Sequence, residues 1–204
     1  MSDNVLITTP RLTITDLRSD DEIPHTRLML GDEFYERFLR ETGKAPDLPR
    51  TEEMYAIRLQ DSYIGWVVLQ RDEQGRPDVG IKIMRAYHGH GYGSEALKAF
   101  CNWIYEKRGI VRVFARIEEA NIQSQKAFAK IGAVLDDRKP DYRFVKMAQK
   151  LPGETNIPEL LYYHIDLPIA TKGDENNAYP ESQRTQLGTD RPRRLGNPLL
   201  EDQR

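Results

Sequence analysis

Residues 87–97 read YHGHGYGSEAL, with glycines at 89, 91 and 93 ahead of a run of good helix formers. Glycine admits positive φ and carries no Cβ, so backbone N–H groups around Gly89, Gly91 and Gly93 are free to converge on one ligand. At the mouth of a helix those amides and the helix dipole favour an anion, and phosphate is the default. Three phosphate cradles compete for the pattern. A Walker A loop ends in Gly-Lys-Ser/Thr, and none is present. GYGSEA fits the Gly-x-Gly-x-x-Ala dinucleotide fingerprint, with Glu118 or Glu119 as a loosely spaced acidic partner. That fingerprint opens a series of βαβ units, and the flanking sequence does not read as one. The third cradle depends on the elements around it.

Before the loop, VLITTPRLTITDL alternates around Leu12, Ile14 and Leu17 and predicts a strand. Asp20 is placed to cap a helix starting near Asp21, with Pro24 in its first turn, Leu28 and Leu30 on its apolar side and Gly31 at its end. A second short helix is expected from Asp32 to Arg40, then a loop at TGKAPDLPR. Residues 54–84 predict an antiparallel meander. Its strands run from Met54 to Leu59, Tyr63 to Gln70 and Val79 to Met84, with turns at Asp61-Ser62 and RDEQGRP. After the loop, Leu97, Phe100, Cys101 and Ile104 share one face of a helix stopped by Gly109, and Cys101 reads as core filler. Val111, Val113, Ala115 and Ile117 alternate along a strand. A short helix turns Ala127, Phe128 and Ile131 inward and stops at Gly132, and LLYYHIDL closes as a strand. The fold class is α+β with a mixed central sheet.

HGHGYG followed by SEAL resembles the acetyl-CoA pyrophosphate loop of the GNAT acetyltransferases, Arg/Gln-x-x-Gly-x-Gly/Ala. NIQSQKAFAKIGA resembles that family's Asn-x-x-Ser/Ala-x-x-x-Tyr-x-Lys-x-Gly-Phe segment, with Asn121, Ser124, Lys130 and Gly132 matching. One helix and one strand separate the two blocks, as in the family. TPRLTITDLRSDD and PDVGIKIMRAYHGHGYG are similar to the ribosomal-protein N-terminal acetyltransferase branch, so the resemblance covers roughly residues 8–167. It implies a mostly antiparallel central sheet flanked by helices, in one acetyltransferase domain over 1–167.

The resemblance also implies roles. The pyrophosphate of acetyl-CoA, the co-substrate, rests on the amides of Gly89, His90, Gly91, Tyr92, Gly93 and Ser94. His88 stands where Arg or Gln is usual, and His90 where a basic residue is common; both also read as solvated loop histidines. The strand Val79–Met84 splays from its neighbour, and an amide near Ile83 or Met84 binds the thioester carbonyl and stabilises the oxyanion. Asn121 reaches the pantetheine or shapes its channel, and also reads as a helix N-cap. Asp78 aligns with a Glu of the branch and is a candidate base; it also reads as a turn residue, with Glu118 and Glu119 as alternatives. Phe128 occupies the cofactor-side position of the family's Tyr general acid and has no proton to give.

That loss is bounded. A thiol near pKa ~8.5 leaves as thiolate at pH 7 at a cost of about 2 kcal/mol, which Ser124 or water can cover. Presenting a lysine-like amine as its free base costs roughly 4.6 kcal/mol, whereas an α-amine costs only about 1 to 1.4 kcal/mol. A weakened acid–base set therefore fits an α-amine better.

The chain has 204 residues with 30 basic and 32 acidic side chains, a net charge of −2 that gives no general pull toward nucleic acid or an anionic membrane. No apolar run approaches a membrane span and the N-terminus lacks a secretory pattern, so a soluble cytoplasmic protein is expected. Cys101 is the single cysteine, and only His88 and His90 cluster, so neither an internal disulfide nor a metal site is indicated. Residues 168–204 are polar and read as a disordered or loosely docked tail with a basic RPRRL cluster. Residues 136–161 mix Lys, Arg and Tyr and are a candidate acceptor-side segment, or an ordinary exposed loop. A homodimer is left open. The leading expectation is an acetyl-CoA-dependent N-acetyltransferase. It would move acetyl directly to a primary amine, on a peptide terminus or a small molecule, in a ternary complex. The alternative is a non-catalytic acetyl-CoA-binding module.

Overall fold

A computed structural model describes residues 4–46, 53–72, 74–136 and 159–170. The chain divides into a compact unit, Met1–Ile169, and a second, Ala170–Arg204. Residues 171–204 of the expected 168–204 tail, and 137–158 of the expected 136–161 acceptor-side segment, lie outside the described residues.

The described elements are β1 (Val5–Thr8), β2 (Leu12–Asp16), α1 (Glu22–Leu30), α2 (Asp32–Thr42), β3 (Met54–Leu59), β4 (Ser62–Arg71), β5 (Pro77–Ile83), α3 (Tyr92–Arg108), β6 (Arg112–Glu118), α4 (Ile122–Ala129), β7 (Val134–Asp136) and β8 (Leu160–Asp166). The strands form one sheet in the order β1-β2-β3-β4-β5-β6-β8-β7. All neighbours are antiparallel except β5 and β6. This is the mixed α+β sheet expected from the sequence.

Two elements differ from expectation. VLITTPRLTITDL is a hairpin, not one strand, because Pro10 and Arg11 form its turn between β1 and β2. Residues Val134–Asp136 add a short edge strand on β8 that three residues of sequence gave no periodicity to detect.

One face of the sheet carries the core. Leu12, Ile14, Ile57, Val67, Val79, Val113, Ala115 and Ile165 pack there with Leu97, Phe100, Cys101 and Ile104 of α3 and Phe128 of α4. Cys101 is fully enclosed, and burial pushes its thiol up to about 12, as suits a packing residue. The opposite face carries α1. Leu28 and Leu30 were expected to be its inward side, but His25 and Thr26 are the buried residues. Hydrogen bonds and an ion pair anchor it there: His25 Nδ1 lies 2.9 Å from the Tyr63 hydroxyl, and Arg58 of β3 bridges Asp21 at 2.5 Å and donates to Thr15. Hydropathy periodicity alone misplaces a helix that packs through hydrogen bonds.

β4 and β5 approach each other closely at Gly65. A Cβ on Gly65 would lie 2.2 Å from the Lys82 carbonyl oxygen, so only glycine fits there.

Candidate active site

The parallel β5–β6 pair registers at one position, Asp78 with Phe114, although β5 runs on to Ile83 and β6 to Glu118. The two strands are joined at their start and part beyond it. Asp78 closes the joined end. Its carboxylate accepts from Arg116 of β6 at 3.2 and 3.3 Å and from Gln70 of β4 at 2.9 Å. Burial raises its pKa, and the Arg116 charge and the two donors only partly offset that.

The opening leads into a cleft of about 390 Å³ between β5, the glycine loop and α4. Ile81, Lys82 and Ile83 form one wall, His88, Gly89, Gly91, Tyr92, Gly93 and Ser94 a second, and Asn121, Ser124, Lys126 and Lys130 a third. Most of the expected site residues meet here. Asp78, Met84, His90 and Phe128 are not on this wall.

Each of those four has another occupation. The Met84 amide donates to the Ile64 carbonyl at 2.8 Å. In an antiparallel ladder alternate residues face alternate sides, so with Met84 turned to β4 the amides of Ile81 and Ile83 turn toward β6 and the opening. Of the pair Ile83 or Met84, Ile83 is therefore the one with a donor facing the cleft. The His90 ring stacks on Tyr92 at 5.5 Å, and Phe128 is 2% exposed inside the core.

The glycine loop has the conformation its sequence implies. Gly89 and Gly91 have φ of 82° and 80°, in the left-handed region, and Gly91 is the N-cap of α3. The first intrahelical bond runs from Glu95 N–H to the Gly91 carbonyl. The amides of Tyr92, Gly93 and Ser94 precede it and are the orphan donors of a helix N-terminus. His88 pins the other side of the loop, its Nε2 2.7 Å from the Ile83 carbonyl oxygen. A carbonyl only accepts, so Nε2 carries the hydrogen.

A second support was not visible in the glycine pattern. Arg11, in the β1–β2 turn, donates Nε–H to Glu95 at 2.7 Å and Nη1–H to the His90 carbonyl at 3.0 Å, and lies over the Tyr92 ring at 4.7 Å. Thr9 donates its hydroxyl to Glu95 at 2.6 Å. Three side chains thus tie the N-terminal hairpin to the loop. Glu95 stood inside the motif, but its partners are more than eighty residues away in sequence, so no local signal announced them.

Burial alone would raise the Glu95 pKa, but the bonds from Thr9 and Arg11 outweigh it and hold the group below its ordinary 4.5. A depressed carboxylate contributes stability above its unfolded pKa and loses it as pH falls through its folded pKa. The melting temperature of the wild type should therefore exceed that of Glu95→Gln at neutral pH, and the gap should close as pH drops below about 4.5. A gap independent of pH would show that the carboxylate charge is not what holds the loop.

On α4, Asn121 Oδ1 accepts the Ser124 amide at 3.0 Å, so the N-cap reading is realised and Nδ2 remains as a donor at the cleft. Ser124 is half-buried on the wall. Lys126 and Lys130 add two ammonium groups. Together with the amides of the loop they fit a ligand carrying several phosphates. Among the described residues no group of three or more His, Cys, Asp or Glu could hold a metal, and no helix is long and apolar enough to cross a membrane.

The model of a family described as Acetyltransferase (GNAT) domain matches residues 11–134. A curated Bacillus subtilis (strain 168) protein, the uncharacterized N-acetyltransferase YjdG, is 31% identical over 72 residues, or 35% of this chain and 43% of that protein. The match thus spans less than half of that relative's length. Among solved structures, an acetyltransferase from Agrobacterium tumefaciens str. C58 superposes with a TM-score of 0.58 at 19% identity, covering 82% of this chain and 95% of that one. RimL, a ribosomal L7/L12 α-N-protein acetyltransferase in complex with coenzyme A, superposes at 0.57 and 13% identity, covering 82% and 100%. At these identities the likeness is one of fold.

Proposed function

Because the chain belongs to the GNAT acetyltransferase family, we propose that it is an acetyl-CoA-dependent N-acetyltransferase that moves acetyl directly to a primary amine in a ternary complex. The observation that carries this reading is the parting of β5 from β6 beside a positive-φ glycine loop at the start of α3. One element supplies anion donors and the other supplies strand amides for a thioester carbonyl, and they share one cleft.

In this reading the amides of Tyr92, Gly93 and Ser94 receive the pyrophosphate, with Lys126 and Lys130 on the opposite wall for further phosphate charge. The Ile83 or Ile81 amide holds the thioester carbonyl and takes up charge as the amine adds to it. Direct transfer needs only that both substrates be held together, and it uses no enzyme nucleophile. Cys101 is enclosed in the core and reaches no substrate.

Geometry comes before pKa in choosing a base. Asp78 lies off the wall with its oxygens engaged, so we assign it to holding the strands together. Glu118, at the end of β6, stands at the open side. Ser124 is a hydroxyl on the cleft wall, and we assign it to protonating the leaving sulfur. Thiolate departure costs about 2 kcal/mol at most, so Ser124→Ala should lower kcat by no more than about 30-fold. A larger fall in kcat, measured at saturating acetyl-CoA, would show that Ser124 does more than protonate the thiol.

The low cost of deprotonating an α-amine favours that acceptor over an unactivated lysine. The test is thiol release from acetyl-CoA against α-amine, lysine-side-chain and polyamine panels. Tight acetyl-CoA binding with no release on any panel would instead support the non-catalytic binding module.

A further inference from the structure

Two opposite charges, Lys82 and Glu118, sit on one face of the sheet at the open end of β5 and β6. Counting on in step from the Asp78–Phe114 pairing leads to Lys82 on β5 and Glu118 on β6. Side chains alternate along a strand, so Lys82 lies on the face of Asp78, and Glu118 on that of Arg116. At the joined end the acid is on β5 and the base on β6, and they meet at 3.2 Å. At the open end the signs are reversed. No ion pair joins Lys82 and Glu118 among the described residues. The Lys82 ammonium has a 3.5 Å contact with the Met29 carbonyl of α1. Burial holds its pKa below the ordinary range, with the Glu118 charge opposing that shift. Lys82 also lines the cleft between Ile81 and Ile83, the residues whose amides face the opening.

Lys82 lines the cleft on the β5 side, and Glu118 ends β6 just beyond that lining, so a ligand reaching past the strand ends has a cation on one side and a carboxylate on the other. We propose that the acceptor is a free α-amino acid or a close analogue, a zwitterion whose carboxylate is bound by Lys82 and whose amine is received by Glu118. This rests on the acetyl-transfer reading above, but not on the acidity of a chain-terminal α-amine: a free amino acid's own carboxylate holds the ammonium proton more tightly, so Glu118 must receive it. A peptide terminus offers Lys82 a neutral amide carbonyl in place of a carboxylate. A polyamine or aminoglycoside brings a second cation toward it, which disfavours binding.

The step balances without any further reactant. The ammonium passes one proton to Glu118, and the nitrogen lone pair adds to the thioester carbon. The C–N bond forms as the C–S bond breaks, and the sulfur leaves with the bonding pair and is protonated. The nitrogen sheds its second proton. The products are the N-acetyl amino acid, the free thiol and one proton.

The experiment compares free amino acids, their carboxamides and short peptides with the same first residue, using the full chain and acetyl-CoA. N-acetyl product is measured by mass spectrometry and acetyl-CoA binding by calorimetry. A charge-assisted contact predicts that kcat/KM for the free acid exceeds that for the carboxamide by about 10- to 100-fold. Lys82→Met should bring the ratio to near one, mainly through KM of the free acid, and Lys82→Arg should restore it. The proposal is overturned if carboxamides or peptides are acetylated as well as the free acids, or if the ratio survives Lys82→Met; acetyl transfer itself would then still stand. Acetyl-CoA binding with no product from any class would overturn both.

Discussion

Gly91→Val should raise the KM for acetyl-CoA by about 100-fold or more. Gly91 has φ of 80° and is the N-cap of α3. A branched L side chain in the left-handed region costs on the order of 1–2 kcal/mol, and the chain relieves that by leaving the region. A Cβ there would also lie 3.6 Å from the Arg11 guanidinium that holds the loop. Relaxation turns the Tyr92 and Gly93 amides away from a common point. Each hydrogen bond to a charged group is worth about 1.5–3 kcal/mol, so losing two accounts for the fold-change. Gly109→Ala is the control. Gly109 is the left-handed C-cap of the same helix, with φ of 64° and open space where a Cβ would stand. It should lower stability but leave KM for acetyl-CoA near the wild-type value. Equal rises in KM for both variants would assign the effect to α3 as a whole, not to the cradle.

Phe128→Ala should lower the melting temperature by on the order of 10 °C. The ring is 2% exposed and belongs to the main core. Truncating a buried phenylalanine costs about 3–5 kcal/mol, and each kcal/mol shifts a domain of this size by about 2–4 °C. Where the variant remains folded, KM for acetyl-CoA should rise, because α4 carries Asn121, Ser124 and Lys126 onto the cleft wall. The value of kcat should stay close to wild type. Differential scanning calorimetry with steady-state kinetics below the transition separates the two effects. A large fall in kcat with no change in melting temperature would mean that the ring touches the reacting groups.

The cradle was legible because it is local. The spacing of Gly89, Gly91 and Gly93 ahead of Ser94 and Glu95 depends only on φ and on the orphan amides of a helix start, and both are written into consecutive residues. Asn121 was readable for the same reason: its cap bond to Ser124 spans three positions. Arg11 was not readable, since a surface arginine before a strand has no distinguishing pattern until folding brings it to Glu95.

Strand alternation and helix periodicity, taken with two motif blocks, determined from sequence alone the α+β class, nearly all the elements and the glycine-loop end of the candidate site. Only the tertiary structure decided which groups face the cleft. The register of β5 on β4 engages the Met84 amide and turns Ile83 toward the opening. The closing of β5 on β6 sets Asp78 against Arg116 and leaves Lys82 and Glu118 on one face of the sheet at the open strand ends. Packing of α4 sends Phe128 into the core and Ser124 to the wall. These outcomes depend on pairing between residues distant in sequence, and a side chain's type does not reveal which partner, or which face, it will be given.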